Sequence, residues 1–284
     1  MTTVKHEVMV SVIVLTYNHE KYIRQALDSI LMQKVDFEYE ILIGDDCSTD
    51  GTMDIILQYA ADYPHLIRPF IYSENKGASK NLYYLSQKAN GKYLAYCEGD
   101  DYWGNCFKLQ KQVSFLEKNS QYMGTTHQCI CVDEHGVSLD KKLNWISQKV
   151  DFSIQNFNGY ILPGQLASLV HRNFFRDKKH DFSILYRAHE MISDRTLFLI
   201  VLCYGNIYQM QVVMSYYRIH TEKDAKNATT MLFAKNDSVN LMQYKLSEKL
   251  EQYSKKEFGI VLNLRLFKAT QLLKWMIKKL LRIK

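Results

Sequence analysis

At 284 residues, with 47% hydrophobic and 13% aromatic side chains, the chain has ample material for one large core, which excludes extensive disorder. No window holds the eighteen or so uncharged apolar residues of a membrane span, and "MTTVKHEVMV" lacks the basic leader and apolar run of a secretory signal. The formal net charge of +6 is concentrated: residues 255–284 hold nine Lys or Arg against one Glu, so the remainder is near neutral and no general nucleic-acid binder is expected.

In chain order, "VMVSVIVLTYN" (8–18) is a nearly unbroken apolar run, the pattern of a strand buried on both faces of a parallel sheet. Ile23, Leu27, Ile30 and Leu31 then recur at helical spacing over 19–33, with Asn18 as the expected N-cap. "YEILIGDD" (39–46) is a second buried strand, followed by a helix carrying Ile55, Ile56 and Tyr59 and stopped by Pro64. Ser48, Thr49 and Asp50 are its candidate caps. "LIRPFIYS" (66–73) is a short third strand, and a helix through Leu82, Leu85 and Ala89 ends at Gly91, a suitable left-handed stop. A fourth strand enters "KYLAYCEGDDYWG" (92–104).

Strand and helix alternating every thirty residues or so predict a doubly wound α/β half-domain. Ligands bind beyond the carboxyl ends of such strands. Three strands deliver polar groups there: Tyr17 and Asn18, Asp45 and Asp46, and Asp100 and Asp101.

The rest is looser. A helix with Leu109, Val113 and Leu116 precedes a strand at 122–132, "GQLASLVHR" (164–172) reads as another strand, and an apolar helix after "HEMISD" closes at Gly205. "IYQMQVVMSYYRIH" (207–220) is a long strand. The six cysteines show no paired spacing and read as free thiols of a reducing compartment. His127, Cys129 and Cys131 alternate, but with no fourth ligand evident they read as a half-buried strand.

Glu98, Asp100 and Asp101 crowd into four positions, and such carboxylates repel unless a cation lies between them. They are hard oxygen ligands suited to Mg2+ or Mn2+, an ion usually completed by substrate phosphates.

"VSVIVLTYN", "EILIGDDCSTDGT", "NKGASKNLYYLSQKANGKYLAYCEGDDYW" and "KLQKQVSFLEKN" together resemble family 2 inverting glycosyltransferases of the GT-A fold, over residues 8–118 and more loosely over 193–220. The nearest look-alikes build bacterial capsules, teichoic acids and other surface polysaccharides. The resemblance implies an α/β Rossmann-like mixed sheet flanked by helices, a nucleotide-sugar donor, a glycan or lipid-linked acceptor, and Mn2+ or Mg2+. It places Tyr17 beside the base, Asp46 in hydrogen-bond contact with it, and Asp45 and Asp50 in support of the turn. Asn18, Asn81 and, with less force, Lys80 line the nucleotide pocket, and Cys47 stands where glycine or asparagine is usual. Asp101 ligates the metal, Asp100 meets the ribose or shares the metal, and Glu98 and His220 are further candidate ligands. Arg218 faces the diphosphate. Asp194 is the expected general base, with Glu190 as runner-up.

From Leu264 to Lys284, Leu266, Ala269, Leu273, Met276, Ile277 and Leu280 share one helical face, with Lys268, Lys278, Lys279 and Arg282 opposite. A basic amphipathic helix of this kind suits an anionic membrane surface, against the alternative of a helix packed on its own core. The expected division is a catalytic domain over 1–225, with a nucleotide half (1–106) and an acceptor half (107–225), and a helical region over 226–284. The expected setting is cytoplasmic and peripheral on the inner face of the membrane. Two other functions fit parts of the pattern. A nucleotidyltransferase lacks its glycine-rich phosphate loop in "TYNHEKYI", and an inactive nucleotide-sugar-binding subunit sits poorly with Asp46, Asp101 and Asp194 all present.

Overall fold

A computed structural model of the chain describes residues 7–177, 179–190, 192–220 and 239–281. Residues 221–238 and Arg282 of the tail lie outside the described residues. Among those described, nine strands form one mixed sheet flanked by helices. β1 (Val10–Thr16) pairs in parallel with β2 (Tyr39–Asp45) and β4 (Tyr93–Glu98), and β3 (Ile67–Ile71) pairs with β2. α1 (Ile23–Leu31), α2 (Thr52–Asp62) and α3 (Ala78–Lys88) are the crossovers. The chain therefore winds outward through β1, β2 and β3, then returns to the other side of β1. That reversal, between β1 and β4, is where ligand crevices open in such sheets.

β1 is buried throughout because its alternate side chains feed two cores. Val10, Val12 and Val14 pack with Ile23, Leu27 and Ile30 of α1, while Ile13 and Leu15 pack with Leu82 and Leu85 of α3. In register, Thr16 sits beside Asp45 and Leu15 beside Glu98, so three strands end level.

The second half adds β5 (Tyr102–Trp103), α4 (Lys108–Lys118), β6 (Tyr122–Val132), β7 (Asp151–Phe152), β8 (Val170–Arg172), α5 (Ile184–Arg187), α6 (Asp194–Tyr204) and β9 (Asn206–Arg218). The spatial order is β3-β2-β1-β4-β8-β6-β9-β5, with β7 also on β9. The pairing of Tyr102 with Tyr216 brings the end of β9 to the acidic loop. α7 (Val239–Phe258) places Leu246, Leu250 and Tyr253 in the same core as α6, and α8 (Arg265–Leu281) follows the buried Leu262 and Leu264.

Three local expectations change. α1 starts at Ile23 behind Tyr22, and Asn18 caps nothing; it is left-handed (φ 56°), and its Oδ1 accepts from the Thr49 N–H at 2.8 Å. α3 ends at Lys88, and Gly91 is required by close approach, since a Cβ there would lie 2.4 Å from the Ser11 nitrogen. Of 164–172, only Val170–Arg172 is strand, behind a single 3-10 turn at Leu166–Ser168. The β6–β9 register shifts on either side of Gln128, with the extra residues on β9, and His127, Cys129 and Cys131 lie on one continuous, half-buried strand as expected.

Candidate active site

The crowded carboxylates of 98–101 are kept apart by partners from distant segments. Asp101, 2% exposed, accepts from the Arg218 backbone N–H with Oδ1 and from the Gln165 amide with Oδ2, both at 2.8 Å. The same Gln165 amide reaches Glu98 Oε2 at 3.3 Å. Asp100 turns the other way: its Oδ2 lies 2.9 Å from His220 Nε2 and 3.8 Å from His19 Nε2. The loop thus has an inward pair tied by an amide and one outward carboxylate between two imidazoles.

The electrostatics follow that division. Burial pushes Asp101 well above the usual carboxylate range, and the Asp100 and Glu98 charges add to it. Glu98 is raised to about 8 by burial, then by Asp100 and Asp194. Burial acts on Asp100 as well, but His19 and His220 outweigh it and pull it down to about 2. The Tyr217 hydroxyl is driven up by burial and by the charges of Asp101, Glu98, Asp100 and Asp194 together. Asp194, first residue of α6, therefore lies within electrostatic reach of the acidic loop.

At the nucleotide edge, Asp45 accepts from the Ser48 hydroxyl with Oδ1, while its buried Oδ2 has no hydrogen-bond partner. Asp50 accepts from the N–H and hydroxyl of Thr52 and from the Glu20 N–H. Tyr17 is partly exposed at the end of β1. Cys47 adopts a left-handed φ of 64°, the conformation that glycine or asparagine takes most easily.

The profile of glycosyl transferase family 2 matches residues 11–183, which takes in β1 to β8 and the whole acidic loop. The chain belongs to that family. TuaG of Bacillus subtilis, named as a teichuronic acid biosynthesis glycosyltransferase, is 37% identical over 134 residues, 47% of this chain and 51% of TuaG. The chain spans about half the length of the curated relatives it matches. The fold is that of GT-A glycosyltransferases. TarS of Staphylococcus aureus, solved with UDP-GlcNAc, superposes with a TM-score of 0.66 at 19% identity, covering 95% of this chain and 72% of that one. The mannosyltransferase PcManGT of Pyrobaculum calidifontis, solved with GDP-Man and Mn2+, gives 0.51 at 17% identity over 94% and 69%.

Within this family 2 chain, several expected roles meet committed side chains. Each oxygen of Asp46 accepts from a backbone amide, Lys76 at 2.7 Å and Gly77 at 2.9 Å, so Asp46 holds the turn into α3. Asn81, 1% exposed, donates to the Gly44 carbonyl at 2.8 Å and braces α3 on β2, away from the pocket. Arg218, 4% exposed, spends its guanidinium on the carbonyls of Asp100, Asp133 and Glu134 and on Gln25, stacked over Tyr22. It clamps the acidic loop to the 133–134 segment and to α1. Glu190 gives its backbone carbonyl to the Ser79 N–H at the start of α3. Asp101, expected to ligate metal, accepts from protein donors with both oxygens, and Asp100 and His220 pair with each other beside it.

Among the described residues, no three His, Cys, Asp or Glu side chains are arranged to enclose an ion by themselves. Asp100 and His220 nevertheless fit a divalent ion, one hard oxygen and one imidazole nitrogen, with phosphate oxygens left to fill the other positions. His19 and Gln165 were missed in the sequence. His19 follows the T-Y-N turn, where its position at a strand end was signal enough; Gln165 carried none.

Proposed function

We propose that this chain is an inverting glycosyltransferase that moves a sugar from a nucleotide-sugar donor to a hydroxyl of a glycan or lipid-linked acceptor in surface-polysaccharide synthesis. The observation that carries the reading is the Glu98–Asp101 loop at the switch point where β1, β2 and β4 end level, with Asp194 within electrostatic reach of it. TuaG, TarS and PcManGT support the class of reaction, and a UDP-sugar is the first donor to test.

Tyr17 would pack beside the base, and Asp45 Oδ2, the acceptor left without a partner, would receive its N–H. Asp100 and His220 would hold Mn2+ or Mg2+, which supplies Lewis-acid stabilisation of the departing diphosphate when bound. Asp194 takes the proton from the acceptor hydroxyl as that oxygen attacks the anomeric carbon. The bond from that carbon to the diphosphate oxygen breaks, and its electron pair leaves with the nucleoside diphosphate. Asp194 is the first residue of α6, at the amino end of that helix.

The tail would bring the enzyme to its acceptor. Leu266, Leu273, Met276, Ile277 and Leu280 are 47–81% exposed along α8, flanked by Lys274, Lys278 and Lys279. No described helix is long and apolar enough to cross a membrane, so this stripe would lie on an anionic lipid surface. The test of the function is a panel of nucleotide sugars incubated with Mn2+ or Mg2+ and scored for nucleoside diphosphate. Release from one donor, abolished by EDTA, is expected. Tight nucleotide binding with no release from any donor or acceptor would instead mark a non-catalytic partner subunit.

A further inference from the structure

Beside the proposed base lies a cation with an unusual set of anchors. Arg195 sends Nη1 to the Gly159 carbonyl at 3.2 Å and to the Gln243 side chain on α7, and sets its guanidinium over the Tyr160 ring at 5.6 Å. Tyr160 in turn stacks on Phe267, in the first turn of α8, with ring centroids 6.3 Å apart. Gly159 is left-handed (φ 82°), and a Cβ there would come within 3.1 Å of the Phe267 ring, so Phe267 sits directly on that turn. The 159–160 turn, α7 and the root of α8 therefore converge on one guanidinium, and the next residue is Asp194.

The other end of α8 is held differently. No residue of α8 is fully buried, and beyond Phe267 and the Lys268–Glu251 ion pair its apolar stripe faces outward. Leu264, just ahead of it, is fixed in the core. The helix thus has a rooted base beside Arg195 and a shaft whose apolar stripe, Leu273, Met276, Ile277 and Leu280, is exposed. A surface that takes up the shaft fixes the direction in which the root presses on the 159–160 turn.

We propose that Arg195 is a positioning residue for Asp194, and that through Tyr160 and Phe267 it makes the acceptor side of the site respond to docking of α8 on an anionic lipid surface. The proposal rests on the reading of Asp194 as base and of α8 as the lipid contact. Its chemistry is mechanical: Nη1 ties the first turn of α6 to the Gly159 carbonyl and to Gln243 while the flat guanidinium lies over the Tyr160 ring, and the compact ammonium of a lysine lacks that face. Binding at one place shifts another only if the contacts between them differ in the two states, and here the differing contact is that of Phe267.

The experiment uses the full-length chain with vesicles of phosphatidylcholine and phosphatidylglycerol, read by sedimentation and by hydrogen exchange. In the wild type, vesicles should slow exchange at residues 158–162 and 192–197 severalfold. Phe267→Ala and Arg195→Lys should still sediment, since the exposed stripe is intact, yet lose that slowing. With soluble acceptor, Arg195→Lys should lower kcat about tenfold while nucleotide affinity by calorimetry stays within twofold of wild type. Vesicle-bound wild type with unchanged exchange, or Phe267→Ala with the full effect, overturns the inference and leaves the functional reading standing. A full-length chain that stays in the supernatant overturns the lipid reading and this inference together.

Discussion

The Gln165 amide donates to Asp101 Oδ2 at 2.8 Å across 64 residues, and the same nitrogen reaches Glu98. A neutral donor thus does at the inward carboxylates what a cation was expected to do. Replacing it with a carboxylate of the same shape, Gln165→Glu, removes the donor and sets a third acceptor against two others. Leaving buried groups unsatisfied costs about 1–3 kcal/mol. Urea unfolding of the metal-free protein should show a loss of that size, and an unchanged midpoint would mean that the amide does not hold the loop.

The same loop makes stability depend on pH. Glu98 and Asp101 are held above their ordinary range, so the folded chain keeps protons that the unfolded chain gives up. Stability of the metal-free protein should therefore fall as pH rises from the ordinary carboxylate range toward about 8. Asp100 works in the opposite sense, but its contribution is lost only as pH falls toward about 2, below that window. Urea midpoints at mildly acidic and mildly alkaline pH should show the decline, and Glu98→Gln should flatten it. A midpoint that climbs with pH contradicts the assignment.

How far this site was legible depends on where each partner lies in the chain. The three strand ends could be read because a strand buried on both faces leaves a continuous apolar run, and the polar residue that stops it marks the ligand edge. Which of Asp100 and Asp101 faces outward could not be read. That choice is made by Gln165 and by the Arg218 N–H, which arrive from 64 and 117 residues away. The diphosphate role of Arg218 came only from the resemblance of "YYRIH" to the family's strand ending. In the fold, the carbonyls of Asp133 and Glu134 reach it first. The hold of Asp46 on the turn into α3 was equally hidden, since the amides of Lys76 and Gly77 come from the far side of α2 and β3. Cys47 was the reverse case: its left-handed backbone could be expected from the residue usual at that place.

The outward and inward aspartates should separate in metal binding. Asp100→Asn removes the carboxylate that faces His220, and Mn2+ affinity in the presence of nucleoside diphosphate should drop about tenfold or more. Asp101→Asn should keep that affinity within about threefold and lower the unfolding midpoint instead, because its amide would face the Gln165 donor. Paramagnetic titration of Mn2+ reads this directly. Retained Mn2+ binding in Asp100→Asn with loss in a folded Asp101→Asn would restore the inner aspartate as ligand.

Base recognition divides Asp45 from Asp46. Asp45→Asn should weaken binding of the nucleoside diphosphate about ten- to a hundredfold, since a charge-assisted acceptor is lost. Asp46→Asn should act first on stability, because both its oxygens hold the turn into α3. Calorimetry and thermal unfolding of the two variants give the ordering, and the reverse ordering would return the base contact to Asp46.

The central claim is that Asp194 is the proton acceptor of a sugar transfer whose donor binds on the other side of the cleft. The most direct measurement is the rate of nucleoside diphosphate release by Asp194→Asn under saturating donor, acceptor and Mn2+, with nucleotide affinity measured on the same sample. The account predicts a rate lower by about two to four orders of magnitude and an affinity equal to that of the wild type. A rate near wild type, or a rate that falls only because the nucleotide no longer binds, would contradict it.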